Sequence, residues 1–341
     1  MKRALITGVT GQDGSYLSEL LLERGYDVYG LVRRTSAGPS DILEHLHRKQ
    51  GLHFIYGDLH DVASIRRAIE IAKPDEVYNL ASQSHVGVSF ELPADTWDVN
   101  YAGAGHVITE ALKAKGDVRI YQASSSEMFG TTPPPQNESS VFAPVSPYAQ
   151  AKLRAHEEFV VGLRKSQNAY VCSGILFNHE SPRRGKHFVT RKISVSLAKI
   201  KLGLQDRLEL GNLNADRDWG YAKEYVEAMH AMLQQGAPED FVIATGVPHT
   251  VREFVDAAAS ALGMSIHWEG DGEKEIGRNE KGDVVVSVNP KFFRAKEVNN
   301  LVGDASKAKR ILGWEPRITF EGLVGMMAKA DYDMLANRAH D

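Results

Sequence analysis

The stretch Ala4-Leu5-Ile6-Thr7-Gly8-Val9-Thr10-Gly11-Gln12-Asp13-Gly14 joins a short apolar run directly to a turn with three glycines. Leucines recur at helical spacing after it, so the stretch predicts a strand, a glycine turn and a helix. Glycines let the backbone approach a pyrophosphate closely, and the first amides of the helix stabilise its charge. The spacing Gly-x-x-Gly-x-x-Gly differs from the commoner Gly-x-Gly-x-x-Gly. Its place at the first strand-to-helix crossing nevertheless predicts a dinucleotide site that includes Gly8, Thr10, Gly11, Gln12, Asp13 and Gly14.

Strands and helices alternate through the first half of the chain. We predict strands at 27–32, 53–56, 76–80, 118–123 and 169–177, with helices at 61–72 and 95–115. This alternation predicts an α/β fold with a doubly wound, mostly parallel Rossmann-type sheet and a ligand at the strands' carboxyl ends. Residues 1–177 form the predicted dinucleotide-binding domain, to which residues 211–246 also contribute. Residues 178–210 and 247–341 are expected to form a smaller interleaved α/β substrate region, in which 273–283 is a mobile solvated loop.

Polar residues follow several predicted strands. Arg33 and Arg34 stand after the second strand, where an NAD enzyme usually carries an acid for the ribose 2′-hydroxyl. Guanidinium groups suit a 2′-phosphate, so we predict NADP as the cofactor. Asp58 follows the third strand and could accept a hydrogen bond from adenine. The other residues expected against the cofactor at these strand ends are Leu59, Leu80, Ala81, Ser82 and Ser84.

A candidate catalytic group lies further along the chain. Ser146-Pro147-Tyr148-Ala149-Gln150-Ala151-Lys152 places a phenol and an ammonium on one face of a predicted helix. We expect the lysine to lower the pKa of Tyr148, which would then act as a general base near neutral pH. Ser125 and Glu127 follow the strand at 118–123, so a hydroxyl and a carboxylate could converge on the same substrate.

Composition excludes several classes of protein. With 341 residues, 43% of them hydrophobic, the chain can bury a large core. Its formal net charge of −4 predicts no nucleic-acid partner, and no stretch approaches the roughly 18 apolar residues of a membrane span. The single cysteine, Cys172, fits a buried strand position and a reducing, cytoplasmic compartment. No metal site is expected.

The glycine turn, Ser-x-Glu and Tyr-x-x-x-Lys together resemble the extended short-chain dehydrogenase/reductase superfamily. Within it, four longer runs are similar to the GDP-mannose 4,6-dehydratase family. The likeness extends from Arg3 to about Ala330. The four runs are Gly8 to Leu17, Asn178 to Lys192, Leu210 to Gly220 and Phe292 to Val298.

The resemblance implies a role for each catalytic candidate. Ser125 binds the sugar's 4-oxygen, and Tyr148 removes the 4-hydroxyl proton while NADP⁺ accepts the C4 hydride. Lys152 holds the nicotinamide ribose. Glu127 is the acid/base at C5 and C6, where water is lost before the hydride returns to C6. The product would be GDP-4-dehydro-6-deoxy-D-mannose.

The resemblance also implies binding residues and an assembly. His179 and Arg184 match cofactor-contacting positions. We expect a homo-oligomer, either a dimer or a tetramer, although 35–47 does not reproduce the family's usual loop for tetramer assembly. The residues expected near the nucleotide-sugar are Ser84, His85, Asn178, Lys192, Arg217 and Arg294, together with Ser125, Glu127 and Tyr148.

Three alternatives remain open on sequence alone. Met128, Phe129, Ala143 and Val145 differ from the family's usual residues, and these changes could enlarge the sugar pocket for GDP-D-glycero-D-manno-heptose. A GDP-sugar reductase or epimerase would use the same cofactor without eliminating water, which Glu127 argues against. A dinucleotide-sensing protein without turnover would not need the serine, tyrosine and lysine together.

Overall fold

The computed structural model describes residues 1–36, 41–292 and 301–338. Its strands are β1 Arg3–Thr7, β2 Asp27–Val32, β3 Leu52–Tyr56, β4 Glu76–Asn79, β5 Arg119–Ser125, β6 Val171–Leu176, β7 Asn178–Glu180, β8 Leu208–Leu210, β9 Asp216–Tyr221, β10 Phe241–Ile243, β11 Pro248–Thr250, β12 His267–Glu269, β13 Ile276–Arg278 and β14 Val284–Val288. Its α-helices are α1 Gln12–Glu23, α2 Asp41–His47, α3 Val62–Ala72, α4 Val86–Glu91, α5 Pro93–Trp97, α6 Ala104–Ala114, α7 Pro147–Ala155, α8 Leu163–Gln167, α9 Val189–Lys201, α10 Ala222–Leu233, α11 Val251–Ala261, α12 Ser306–Leu312 and α13 Phe320–Arg338. Two π-helical segments, Asp98–Gly103 and His156–Gly162, interrupt the helical runs at α6 and α7, and 3₁₀ turns occupy Ser126–Met128, Gly272–Lys274 and Pro290–Phe292.

The main sheet has seven strands in the order β10-β6-β5-β4-β1-β2-β3. Every neighbouring pair in it is parallel. Strands β2 and β3 extend the sheet on one side of β1, and β4, β5, β6 and β10 extend it on the other side. The strand order therefore reverses between β1 and β4, and doubly wound sheets bind their ligands at such a switch point. The predicted doubly wound parallel sheet is therefore confirmed. Strand β10, from the second half of the chain, forms one edge of it.

Helices cover both faces of this sheet because its strands are apolar on both sides. On one face α1 and α10 bury Leu17, Leu21 and Met229, each with no exposed surface. On the other face α3 and α6 bury Ile69 and Ile108. Full burial of such a side chain stabilises the fold by about 1.5–3 kcal/mol, so these two layers fix the position of the sheet.

The smaller region is built on two further sheets, of order β11-β9-β7 and β12-β13-β14-β8. Its own core lies between these sheets and helices α9, α11 and α13, and includes Leu197, Phe254 and Met327.

The predicted solvated loop at 273–283 is wrong in part. Residues 276–278 form β13, which pairs antiparallel with both β12 and β14. Glu275 is buried, and its carboxylate accepts hydrogen bonds from Arg252 Nη2 at 2.6 and 2.7 Å. Arg252 therefore compensates the buried charge of Glu275, a residue that the sequence alone places in solvent.

Cys172 lies in the middle of β6 without exposed surface, as predicted. Burial raises the pKa of its thiol above the usual range, so it is a poor nucleophile. Across the described ranges, no helix combines the length and apolar character needed to cross a membrane.

A buried ion pair joins α9 to α13. Arg191 Nε donates to both carboxylate oxygens of Asp331 at 2.9 and 2.8 Å, and Ser194 Oγ donates to the same carboxylate at 2.6 Å. Asp331 has no exposed surface. Removing one partner of such a pair leaves a buried charge without compensation.

Replacing Asp331 by Ala is therefore expected to lower the free energy of unfolding by about 3–5 kcal/mol. Asp333, exposed on the same helix, is the matched control, and its replacement by Ala should change stability by no more than about 0.5 kcal/mol. Urea denaturation followed by circular dichroism measures both changes. Equal, small effects of the two substitutions would contradict the structural role of the pair.

Candidate active site

A cleft of about 1440 Å³ lies along the carboxyl end of the main sheet and is lined by both regions of the chain. This volume can hold a dinucleotide and a second nucleotide together. The lining brings together nearly every residue that the sequence singled out. Those residues are Gly8, Thr10, Gly11, Gln12, Asp13, Gly14, Arg33, Asp58, Leu59, Leu80, Ala81, Ser82, Ser84, His85, Ser125, Glu127, Tyr148, Lys152, Asn178, His179, Arg184, Lys192 and Arg217.

Two predicted site residues are not among them. Arg34 is exposed, and it does not contribute to the lining, whereas Arg33 does. Arg294 lies outside the described residues, as do residues 37–40 of the segment predicted to differ in the tetramer loop. The pair of arginines is thus reduced to one cleft-facing guanidinium.

The glycine turn can only be made by glycines. Gly8 adopts a φ of +70°, and a Cβ there would lie 2.8 Å from the backbone nitrogen of Ala81. A Cβ on Gly14 would lie 2.3 Å from the carbonyl oxygen of Gly8. Helix α1 begins at Gln12, so its free amides face the space that these glycines leave open. The turn therefore fits the pyrophosphate of a dinucleotide.

Asp58 and Arg33, which the sequence assigns to the adenine and the 2′-phosphate of the cofactor, both line the cleft. His60 donates its backbone N–H to Asp58 Oδ1 at 3.1 Å, and its ring Nδ1 lies 2.8 Å from the same oxygen. Partial burial raises the pKa of Asp58, but these hydrogen bonds and the charge of Arg33 outweigh it, and the net pKa is lowered. The ionised form of Asp58 is therefore favoured, in part by the charge of Arg33.

Helix α7 carries the predicted base. Ser146 caps it by accepting a hydrogen bond from the Ala149 N–H at 3.1 Å, and Pro147 occupies the first turn. Tyr148 and Lys152 are both buried against the cleft, with the Lys152 ammonium 5.9 Å from the centre of the tyrosine ring. Lys152 Nζ also donates to the carbonyl oxygen of Ala123 at 3.0 Å. The predicted common face is confirmed.

The predicted direction of the tyrosine pKa is wrong. Burial raises the pKa of Tyr148 to about 12, and the charge of Glu127 adds to this, although a hydrogen bond with Ser125 acts in the opposite direction. Burial also lowers the pKa of Lys152 to about 8. The sequence shows that a lysine is near the phenol, but it does not show that both groups are removed from water, which disfavours their charged forms.

Ser125 and Glu127 lie beside the phenol. Ser125 ends β5, and its Oγ accepts a hydrogen bond from the Glu127 N–H at 3.2 Å at the start of the 3₁₀ turn. Both Ser125 and Ser82 hydrogen-bond with the Tyr148 phenol, and the Glu127 charge acts on it as well. A hydroxyl, a carboxylate and a phenol therefore share one corner of the cleft, as predicted.

Cationic side chains line the side of the cleft formed by the smaller region. Lys192 Nζ lies 3.8 Å from the centre of the Phe292 ring, and burial lowers the pKa of Lys192. Arg217 is largely buried and donates from Nη1 to the Asp216 carbonyl at 2.6 Å. Asn178, on β7, completes this wall. These groups are suited to a nucleotide diphosphate.

Asn100 supports the site and was missed from the sequence. It lies in the π-helical segment, where its Oδ1 accepts from Ser82 Oγ at 2.8 Å and from Gln83 N at 3.0 Å. Its Nδ2 donates to the Gln83 carbonyl at 2.9 Å. Asn100 therefore orients the hydroxyl of Ser82 beside Tyr148. The sequence signal for this role was an asparagine within the predicted helix at 95–115.

The enlarged sugar pocket predicted from four unusual residues is wrong. Met128 and Phe129 have no exposed surface and form a hydrophobic cluster with Phe177, against which Val145 packs. Ala143 is tied by its backbone to Met128, whose carbonyl accepts the Ala143 N–H at 3.1 Å. None of these four residues is among those lining the cleft in the described part of the chain. The substitutions affect a core beneath the site.

Comparison with known proteins agrees with this geometry. The family model described as GDP-mannose 4,6 dehydratase matches residues 5–327. GDP-mannose 4,6 dehydratase from Homo sapiens is 50% identical, with 97% of this chain and 92% of that protein covered. GDP-mannose 4,6 dehydratase 1 from Arabidopsis thaliana is 49% identical, over 98% and 90% of the two chains. GDP-mannose 4,6-dehydratase from Vibrio cholerae is 48% identical, over 99% and 96%.

Solved structures show the same fold at lower identity. The dTDP-glucose 4,6-dehydratase of Streptomyces venezuelae, with NAD and TYD bound, has a TM-score of 0.81 at 23% identity, covering 99% of this chain and 98% of its own. The UDP-glucose 4-epimerase of Thermotoga maritima has a TM-score of 0.81 at 22% identity, covering 97% and 99%. With a family match over most of its length and relatives near 50% identity, this chain belongs to the GDP-mannose 4,6-dehydratase family.

Proposed function

We propose that this protein is an NADP-dependent GDP-mannose 4,6-dehydratase, a hydro-lyase that converts GDP-D-mannose to GDP-4-dehydro-6-deoxy-D-mannose. The observation that carries the proposal is the position of Glu127 beside Ser125 and Tyr148 in one cleft. A ketoreductase needs the hydroxyl and the phenol, but elimination of water also needs a group that removes a proton next to the ketone. The relatives named above carry this activity in their names.

In the first half of the proposed reaction, Tyr148 acts as a phenolate and takes the proton of the sugar 4-hydroxyl. Because burial raises the pKa of this phenol to about 12, formation of the phenolate depends on the nearby Lys152 cation and on the positive charge that NADP⁺ would add. Ser125, whose hydroxyl already hydrogen-bonds with that phenol, holds the 4-oxygen. When held by the glycine turn and Lys152, NADP⁺ would supply the hydride acceptor for C4 and the hydride donor for C6. Lys152, held by the Ala123 carbonyl, has a pKa of about 8 and so carries its charge at neutral pH, where it favours the phenolate.

In the second half, Glu127 acts on C5 and C6. A 4-ketone acidifies the C5 proton, so a carboxylate at this point can remove it and then assist departure of the C6 hydroxyl as water. Lys192, Arg217 and Asn178 bind the nucleotide part of the substrate, and this binding holds C5 in place relative to Glu127.

The rival functions have less support. A GDP-sugar reductase or epimerase would not need Glu127 as an acid/base at C5 and C6. A dinucleotide sensor would not need the catalytic groups of Tyr148, Lys152 and Ser125. The heptose substrate rested on Met128, Phe129 and their neighbours, which lie in the core rather than the cleft. GDP-mannose is therefore the substrate that we propose.

We also propose that the protein works in the cytoplasm as a homo-oligomer. Phe90 and Leu92 are 49% and 54% exposed, and beside them Trp97, Tyr101 and Phe159 form a run of contacting rings that are only partly buried. Apolar surface of this kind favours contact with a second subunit.

Light scattering after gel filtration should give at least twice the mass of one chain, and a monomer at micromolar concentration would rule the assembly out.

Replacing Glu127 by Gln should lower kcat for dehydration about 10²- to 10⁴-fold, because the amide cannot accept the C5 proton. Binding of NADP⁺ and GDP should persist, and NADPH absorbance should appear transiently without loss of water by mass spectrometry. Glu91→Gln, which removes a carboxylate at the exposed rim of the same cleft, is the matched control and should retain activity. Full dehydration by Glu127→Gln would refute the assignment.

Replacing Arg33 by Gln should weaken NADP⁺ binding about tenfold or more with little effect on NAD⁺, because a charge-assisted hydrogen bond to phosphate is worth about 1.5–3 kcal/mol. Arg34→Gln serves as the internal control, since Arg34 does not line the cleft and should have a smaller effect. Equilibrium titration of both cofactors decides the matter. Equal loss of NAD⁺ and NADP⁺ affinity would show that Arg33 does not bind the 2′-phosphate.

A further inference from the structure

Asp13 and His179 form a contact between the cofactor turn and the smaller region. Asp13 lies in the first turn of α1, and its Oδ2 is 2.8 Å from His179 Nε2. The other ring nitrogen of His179, Nδ1, is 2.7 Å from the carbonyl oxygen of Phe177. A carbonyl and an ionised carboxylate can only accept hydrogen bonds, so both ring nitrogens carry protons. His179 is therefore an imidazolium, and both of its donors are used within the protein.

The surroundings keep this pair charged. Burial lowers the pKa of His179, but the charge and hydrogen bond of Asp13 outweigh it, so the net pKa is raised. Burial raises the pKa of Asp13, but His179 and Arg184 outweigh that effect, so the net pKa is lowered. Each partner therefore favours the charged form of the other.

The other titratable groups around the pair cannot replace either partner. The Tyr225 ring stacks on His179 at 4.6 Å, and burial holds the phenol pKa values of Tyr225 and Tyr121 well above the usual value, so both stay neutral. Glu180 is paired with Arg184, whose Nε lies 3.1 Å from its carboxylate.

Two further hydrogen bonds join the same elements. Gln12 Nε2 donates to the His179 carbonyl at 3.0 Å, and Ser181 Oγ donates to Gln12 Oε1 at 2.7 Å. The first turn of α1 is thus bonded to His179 on β7 and to Ser181 just after it, and β7 also carries Asn178 to the cleft.

Asp13 places a negative charge at the amino end of α1, and the positive charge of His179 offsets it. The amino end of a helix after a glycine turn favours a pyrophosphate, yet a carboxylate in that first turn would repel it. The imidazolium cancels this charge at close range. The pair adds no net charge at a place where an uncompensated negative charge would oppose cofactor binding.

We propose that Asp13 and His179 are positioning residues: an ion pair with no net charge that holds β7 on the cofactor turn. The inference depends on the proposed function only in requiring that NADP binds. It predicts opposite effects for removal of the two charges, whereas a purely structural contact predicts the same loss for both.

The test measures NADP⁺ affinity by titration calorimetry between pH 5.5 and pH 8, without a sugar nucleotide, for wild type and two isosteric variants. His179→Gln leaves the Asp13 charge uncompensated, so Kd should rise about tenfold relative to wild type at every pH. Asp13→Asn removes the charge that opposes burial and Arg184, so the His179 pKa falls and the ring becomes neutral at high pH. Kd should then match wild type where the ring is neutral and be about tenfold lower than wild type at any pH where NMR shows the ring to be protonated.

Taking each Kd as a ratio to wild type at the same pH cancels titration of the cofactor's own phosphate. The double variant Asp13→Asn/His179→Gln should show no pH dependence relative to wild type. NMR of the His179 Cε1 proton gives an independent readout, with the wild-type ring protonated at pH 8 and the Asp13→Asn ring titrating below pH 7. Parallel loss of affinity in both single variants, or a neutral His179 in wild type at pH 7, would overturn the proposal. If the protein did not dehydrate GDP-mannose, these binding results would be unchanged. The proposed function and the role of the Asp13 and His179 pair can therefore be rejected separately.

Discussion

A row of buried side-chain hydrogen bonds joins the carboxyl ends of three central strands, and the geometry of the site depends on it. Thr7 Oγ1 on β1 donates to Asn79 Oδ1 on β4 at 2.6 Å, and Asn79 Nδ2 donates to Gln122 Oε1 on β5 at 2.7 Å. Thr7 Oγ1 also accepts from the Leu80 N–H at 3.1 Å. An unpaired polar group here would cost about 1–3 kcal/mol, so the row selects one register. The loops that follow β1, β4 and β5 consequently leave the sheet side by side.

A second constraint positions the substrate wall against this edge. The carboxylate of Asp218 has no exposed surface and accepts hydrogen bonds from Thr245 N, Gly246 N and Gly303 N at 2.8, 2.8 and 3.2 Å. Asp218 lies on β9, while Thr245 and Gly246 follow β10 of the main sheet. Alternation along β9 places Arg217 and Trp219 on the face opposite Asp218, where both line the cleft and Trp219 also packs into the smaller core. The Asp-Arg-Asp-Trp-Gly sequence thus connects the two regions and places Arg217 in the wall of the cleft.

Sequence reasoning succeeded where the information is local. The glycine turn and the Tyr148 and Lys152 spacing depend on a few neighbouring residues, and the structure brings these groups into one cleft. Sequence reasoning failed where an element or a side-chain environment depends on residues distant in the chain. Three-residue strands such as β7 and β13 show no periodicity, and only their pairing defines them. The raised pKa of Tyr148 and the buried positions of Met128 and Phe129 follow from packing by segments far away in the chain.

The chemistry proposed for this cleft needs only a small addition to a general oxidoreductase site. Ser125, with φ of −146° and ψ of 144°, keeps strand geometry, and the 3₁₀ turn begins at the next residue. The turn buries Ser126 and brings Glu127 back beside the serine hydroxyl, to which its own N–H is bonded. A single turn at the end of β5 therefore adds a carboxylate without moving the hydroxyl or the phenol. Elimination of water can be added to oxidation at C4 because the two functions occupy residues 125 and 127, at the end of one strand and in the turn that follows it.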